Sequence, residues 1–354
     1  MLKAMTDRRI DLKGVAKHRD VIKKNSVSTL KQSLLGLVLL FGMPAFAEVN
    51  WFSATLDNDF FVNEDNGYTN GIYVSFYDVN DKKSSADLPD AWVKPLMWSM
   101  PSGSIETSVN IYSVGQTLNT PYDIEEVVPA EGTFPYSGLL SFTNTFIVVG
   151  PRYADKVSTT LGIVGPLAMG EQTQKAVHKA ISARTPRGWD TQLDNELVFE
   201  LSRGRTWRSW VSNSNTIDVL SGAEMSVGTL RSAVSTGFMV RYGKNLEESF
   251  ATVLLADSRT SNPIAVNQGW FVYMGVALNY TFNQIFTDGN TFHDSRSIDY
   301  DHRNNMLSSG LTYSWGESAL SFAINSPFTI GGDDYDREMD KYTRYGTLTF
   351  AWQI

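Results

Sequence analysis

From residue 272 to residue 282 the chain alternates without a break. Val272, Met274, Val276, Leu278, Tyr280 and Phe282 are large and apolar, and Tyr273, Gly275, Ala277, Asn279 and Thr281 between them are mostly small or polar. A period of two marks a strand whose faces meet two different environments. The pattern returns at Leu307, Leu311, Tyr313 and Trp315, and at Leu320, Phe322 and Ile324. It closes the chain, where Leu348, Phe350, Trp352 and Ile354 alternate with Thr347, Thr349, Ala351 and Gln353. Two folds accept such strands. A soluble sandwich turns the apolar face inward, whereas a membrane barrel turns it to lipid around a polar or small interior.

The start of the chain favours the barrel. Residues 34–43, LLGLVLLFGM, form a short apolar run preceded by Lys23, Lys24 and Lys31 and followed by PAFA. Basic flank, short apolar core and small-x-small site make a secretory signal peptide, too short to span a bilayer. Cleavage is expected after Ala47, leaving 1–47 as presequence and 48–354 as one domain. The long segment before the apolar core suggests a true start further along, at Val27 read as an alternative start codon. The terminal apolar strand and the aromatics near strand ends point the same way. The expected fold is all-β: a transmembrane antiparallel up-and-down β-barrel of about twelve strands. Strands are expected near 50–58, 69–78, 106–117, 138–149, 155–165 and 190–202, with about six after Trp207. Residues 166–183, PLAMGEQTQKAVHKAISA, break the alternation and suit a short helix in an outer loop.

Charge and composition narrow the partners. The presequence takes nine basic and three acidic residues with it. The remainder holds 21 basic and 35 acidic residues, a formal net charge of −14. Nucleic acid is not expected as a partner, because it needs a basic footprint. The chain has no Cys, so disulfides and thiolate metal sites are excluded.

Strand parity gathers the polar motifs. With both termini periplasmic, the first strand delivers Asp57, Asn58 and Asp59 to the outer rim, and the second leaves it at Thr69. Loop 118–137 and the helix bearing His178 fall on the same rim. Residues 79–105 make an unusually long connection on the opposite side. Asn63, Asp65 and Gly67 read as a plain turn. Asp57 and Asp59 are hard oxygen donors of the kind that suits Ca²⁺. On a helix, Glu171, Gln174 or Lys175, and His178 share a face. Lys175, Lys179, Arg184 and Arg187 make this the most basic stretch of an acidic chain. His178 is one of three His outside the presequence, with His293 and His302. Its readings are an incidental loop side chain or a general base for water facing an anionic lipid.

Three ordered blocks carry a resemblance: NDFF…GYTNGIYVSF, VGQTLNTPYDI…FPYSGLL and GIVGPLAMGEQTQKAVHKAI…PRGWDTQLDNE. Together they resemble the outer-membrane lipid A 3′-O-deacylases, the LpxR-type family, closely over residues 51 to about 200 and by pattern beyond. The resemblance implies a twelve-stranded barrel, assembled by the outer-membrane insertion machinery and surrounded by outer-membrane lipid. It implies Ca²⁺-dependent removal of the 3′ acyl or acyloxyacyl chain of lipid A in lipopolysaccharide. By position, His178 is similar to the family's general base, Asn58 and Asp59 to its paired active-site residues, and Thr69 to its strand-two hydroxyl. Asp59, with Asp57, is the expected metal ligand. Arg184 stands where the family has a carboxylate six residues after the His, so either Glu171, Asp190 or Glu196 orients the imidazole or the activity is altered. Loop 118–137 has no Lys or Arg, which leaves Lys175, Lys179, Arg184 and Arg187 for the lipid A phosphates. Two other functions fit a barrel of this kind. One is a non-enzymatic porin or structural barrel with an open lumen. The other is a phospholipid acyl hydrolase, which would need a serine in a convergent site.

Overall fold

The computed structural model describes residues 49–62, 67–81, 89, 91–100, 107–249, 269–328 and 344–354. The signal peptide, Val27, Asn63 and Asp65 lie outside the described residues. Twelve antiparallel strands close into one barrel. They are β1 Trp51–Asn58, β2 Gly67–Asp81, β3 Thr107–Thr120, β4 Ser137–Val149, β5 Tyr153–Val164 and β6 Glu196–Val211. After these come β7 Ile217–Gly228, β8 Arg231–Lys244, β9 Trp270–Gln284, β10 Asn305–Ser314, β11 Ser318–Phe328 and β12 Tyr345–Gln353. Closure pairs Phe52 with Trp352 and Leu56 with Leu348. Every strand therefore has two neighbours, and no edge is left unpaired in lipid.

One expected strand moves. β6 begins at Glu196, not at residue 190, and continues to Val211. Trp189–Thr191 forms a 3₁₀ turn instead, because Trp189 is buried beneath the outer loops and its backbone oxygen is bonded by the Gln192 backbone and side-chain N–H groups.

The register assigns the faces. Met274, Leu278, Tyr280 and Phe282 are exposed on the outside of β9, with Met274 61% accessible, while Phe271, Tyr273 and Gly275 point inward. Cross-strand partners share a face. On that rule Leu311, Phe322, Leu348, Phe52, Ile72, Val114 and Phe142 all stand on the lipid side.

The lumen is filled at the end nearest the termini. Trp51, Tyr77, Ile111, Ile147, Leu220 and Met239 make one buried cluster, joining β1–β4 across the interior to β7 and β8. Beside it the Asp218 carboxylate accepts Arg241 Nε at 2.9 Å, Arg241 Nη2 at 2.7 Å and Arg208 Nε at 2.8 Å. Arg241 also donates to Ser249 Oγ and the Leu246 carbonyl. Charges this deeply buried persist only when so many bonds compensate their desolvation. The outer half of the lumen holds a cavity of about 280 Å³, lined by Ser113, Thr117, Ser141, Thr143 and Thr160. Its hydroxyls bond one another, as in Thr143–Thr160 at 2.9 Å. At its rim, burial and the nearby Asp288 carboxylate push the Tyr300 phenol upward, so the phenol stays protonated. Among the described residues, the long connection after β2 includes a 3₁₀ turn, Lys94–Ser99. Val93, Leu96, Met97 and Met100 pack over the lipid-side residues Phe146, Val148 and Val157.

Candidate active site

The end of β1 stops on its own side chain. Asn58 Oδ1 accepts the Phe60 N–H at 2.9 Å, and Asn58 Nδ2 donates to the Thr69 carbonyl at 3.2 Å. This bends the chain into the 3₁₀ turn Asp59–Val62, with Asp59 buried at its first position. On β2 the register slips between Tyr68 and Asn70, leaving Thr69 as the extra residue of a bulge. The Thr69 hydroxyl bonds Thr120 Oγ1 at 2.7 Å and the Gly67 carbonyl at 3.2 Å.

The Asp-Asn-Asp run is split by the pleat. Asp57 is wholly buried and faces the lumen, where Tyr68 donates its phenol to Asp57 Oδ2 at 2.7 Å. Asn58, one residue on, belongs to the opposite, lipid-side face of the wall. Gly71, paired with Asp57 across the strands, makes room for this bond, because a Cβ there would lie 2.0 Å from the Tyr68 hydroxyl. The Tyr-Thr-Asn-Gly motif thus serves both faces at once. Tyr68 and Gly71 hold Asp57 inside, and Thr69 holds Asn58 at the rim.

The helix lies outside the wall. Gly165, in a conformation that favours glycine, leads into a 3₁₀ turn over Pro166–Ala168, and α1 runs Gly170–Ile181. Gln116 Nε2, on the lipid side of β3, donates to the Ala168 carbonyl at 2.6 Å. Gly170 sits against Leu118 and Trp189, where a Cβ would meet the indole at 2.6 Å. Leu118 pairs with Asn70, and Asn70 with Asn58. Two interstrand spacings, about 10 Å, therefore separate Asn58 from the strand that carries the start of the helix.

Loop 121–136 clamps the helix from above. Tyr136 donates to the Ile124 carbonyl, Arg187 N–H to that same carbonyl, and the Tyr136 and Trp189 rings lie 5.0 Å apart. Trp189 Nε1 then donates to Gln174 Oε1 at 2.7 Å. Tyr136 and Trp189 carry no site signal in the sequence. Their aromatic side chains read equally as loop core.

Gly170, Gln174 and His178 follow each other at four-residue spacing, and Gly170 and Gln174 are buried on the face that meets the wall. His178 is half-buried one turn further on, and its Nδ1 lies 2.5 Å from the Arg184 carbonyl oxygen. A carbonyl only accepts, so Nδ1 carries the hydrogen and Nε2 presents the lone pair. The expected carboxylate partner is thus replaced by a backbone oxygen. Glu171 is instead bound by Lys175 at 2.5 Å, and Asp190 is exposed in the 3₁₀ turn. Glu196 accepts from Asn290 Nδ2 and the Thr291 N–H, tying β6 to residues 290–292. Lys175, Lys179, Arg184 and Arg187 are all exposed on the helix or the segment after it. Among the described residues, no group of three or more His, Asp or Glu converges as a metal cluster.

A closed antiparallel barrel with an apolar outer face defines an outer-membrane protein. The family described as outer membrane protein LpxR matches residues 34–354, and the chain belongs to it. It resides in the bacterial outer membrane. Among solved structures, LpxR from Salmonella typhimurium matches with a TM-score of 0.64 at 16% identity, over 86% of this chain and 100% of that one. The translocator domain of the autotransporter NalP from Neisseria meningitidis matches at a TM-score of 0.39 and 7% identity, over 94% of this chain and 97% of that one. The β domain of the Bordetella autotransporter BrkA gives 0.41 and 10%, over 86% and 99%. No curated protein matches the chain.

Proposed function

We propose that the protein is a calcium-dependent lipid A 3′-O-deacylase that works from the lipid side of its barrel wall. Membership of the LpxR family supports the substrate class. The observation that carries the chemistry is His178, held through Nδ1 by the Arg184 carbonyl on a helix packed outside the wall. Substrate in the outer leaflet reaches this face without entering the lumen. Val177 and Ile181, exposed on α1, extend the apolar surface toward acyl chains, and Lys175, Lys179, Arg184 and Arg187 offer cations to the lipid A phosphates.

Nε2 of His178 takes a proton from water as the water oxygen bonds to the ester carbonyl carbon. The bond from that carbon to the 3′ oxygen then breaks. The imidazolium returns its proton to the departing alkoxide, leaving a sugar hydroxyl and a free carboxylic acid. Asn58 and Thr69 hold the rim in place through their mutual bond.

Asp59 supplies a buried carboxylate next in the chain to Asn58, whose amide bonds the Thr69 carbonyl. Hard oxygens of this kind fit Ca²⁺. Asp59 and Asn58 are the residues assigned to it. Asp57, on the lumen side, is not part of this set. The ion, when bound, supplies positive charge that polarises the ester carbonyl.

The filled periplasmic half of the lumen favours this reading over a porin. Purified protein in detergent, given lipid A and Ca²⁺, should release the 3′ acyl acid and lose that activity with a chelator. Release that persists in chelator and is blocked by a serine-directed reagent would instead indicate a serine hydrolase.

A further inference from the structure

Gln174 has a donor with nothing to bond. The residue is 3% exposed, and its Nε2 is buried with no hydrogen-bond partner among the described residues. An amide can usually be flipped to satisfy its nitrogen, but here the orientation is forced. The Trp189 indole N–H can only donate, so the amide atom 2.7 Å from it must be the oxygen. Trp189 is itself fixed by Tyr136 and by close packing against Gly170. The NH₂ group is therefore aimed away from Trp189 by a rigid aromatic support. A buried unsatisfied donor costs about 1–3 kcal/mol, so its retention calls for an explanation.

Its place supplies one. Gln174 lies one helical turn before His178 on the face turned to the barrel wall. Side chains four apart on a helix are separated by about 5–6 Å at Cβ. The donor and the base therefore stand one turn apart on the same face of the helix. We propose that Gln174 Nε2 is an oxyanion donor: it bonds the ester carbonyl oxygen and strengthens that bond as negative charge develops there. Trp189 is a positioning residue that keeps the donor aimed. This inference rests on the deacylase reading and adds to it a catalytic residue that motif spacing alone had placed only on the helix face.

The test uses full-length protein with lipid A and Ca²⁺, with folding of each variant checked by heat-modifiable electrophoretic mobility. Gln174→Glu keeps an acceptor for the Trp189 indole and removes the donor, whereas Gln174→Leu removes both. Loss of one oxyanion donor lowers kcat by roughly 10²–10³. Both variants should lose kcat to that extent with KM little changed. Trp189→Phe should lower kcat less, because the amide remains but is no longer held. A purely structural role predicts that Gln174→Glu, which retains the indole bond, turns over at the wild-type rate, and that result overturns the proposal while leaving the deacylase intact. Wild-type protein that is folded and leaves lipid A unchanged overturns both.

Discussion

Nδ1 of His178 lies 2.5 Å from the carbonyl oxygen of Arg184, six residues further along the chain. The helix end makes this contact possible. Ser182 adopts a left-handed conformation, the Ser182 and Ala183 N–H groups both return to the His178 carbonyl, and the chain folds back beneath the imidazole. The side chain at position 184 is then free to differ from a carboxylate, since the backbone orients the ring.

Arg184→Ala should therefore keep kcat within about threefold of wild type, because the backbone carbonyl that holds His178 is retained. KM for a phosphorylated substrate should rise, because one cation is lost. Steady-state kinetics on lipid A checks this. Loss of kcat equal to that of His178→Ala would mean that the guanidinium itself takes part in the chemistry.

The base should be indispensable. His178→Ala, folded in the membrane, should abolish release of the 3′ acyl acid. Release that survives in the folded variant assigns the base to another residue.

Asp57 and Asp59 should separate cleanly. Asp59→Asn should remove Ca²⁺ dependence together with activity. Asp57→Asn should act mainly on stability, by about 1–3 kcal/mol for a disturbed buried hydrogen bond, and leave a calcium requirement in the folded protein. Gly71→Ala should resemble Asp57→Asn, because its Cβ collides with the Tyr68 hydroxyl. Thermal unfolding followed by electrophoretic mobility, alongside calcium titration of activity, distinguishes the two classes.

The alternation of Val272–Phe282 made the strands legible, while the apolar run 34–43, the terminal apolar strand and the aromatics near strand ends favoured a barrel over a sandwich. Strand order followed from short connections, and the helix from the run that breaks the period. The site was legible only in part. Motif order brought Asn58, Thr69 and His178 to one rim, but the pleat that sends Asp57 inward depends on register, and the bulge at Thr69 has no marker in composition. The role of Trp189 was hidden for a different reason. It supports Gln174 across 15 residues, and nothing in either residue's neighbours signals the pairing. Glu171 looked available to His178 on helical spacing, yet Lys175 is equally well placed and carries the opposite charge.

The lumen makes a separate prediction. The cluster from Trp51 to Met239 and the Asp218–Arg241–Arg208 group fill the periplasmic half, so planar bilayers should show no steady conductance. Asp218→Ala leaves two buried guanidinium groups uncompensated and should destabilise the barrel by about 3–5 kcal/mol. Stable porin-like channels from wild type would contradict the filled interior.

The most direct test of the central claim is mass spectrometry of lipid A from an outer-membrane host expressing the protein, with and without Ca²⁺, beside folded His178→Ala. The predicted result is loss of the 3′ acyl mass in the wild type with Ca²⁺, and intact lipid A in the variant. Intact lipid A in the wild type, with the barrel folded in the membrane and Ca²⁺ supplied, would contradict the account.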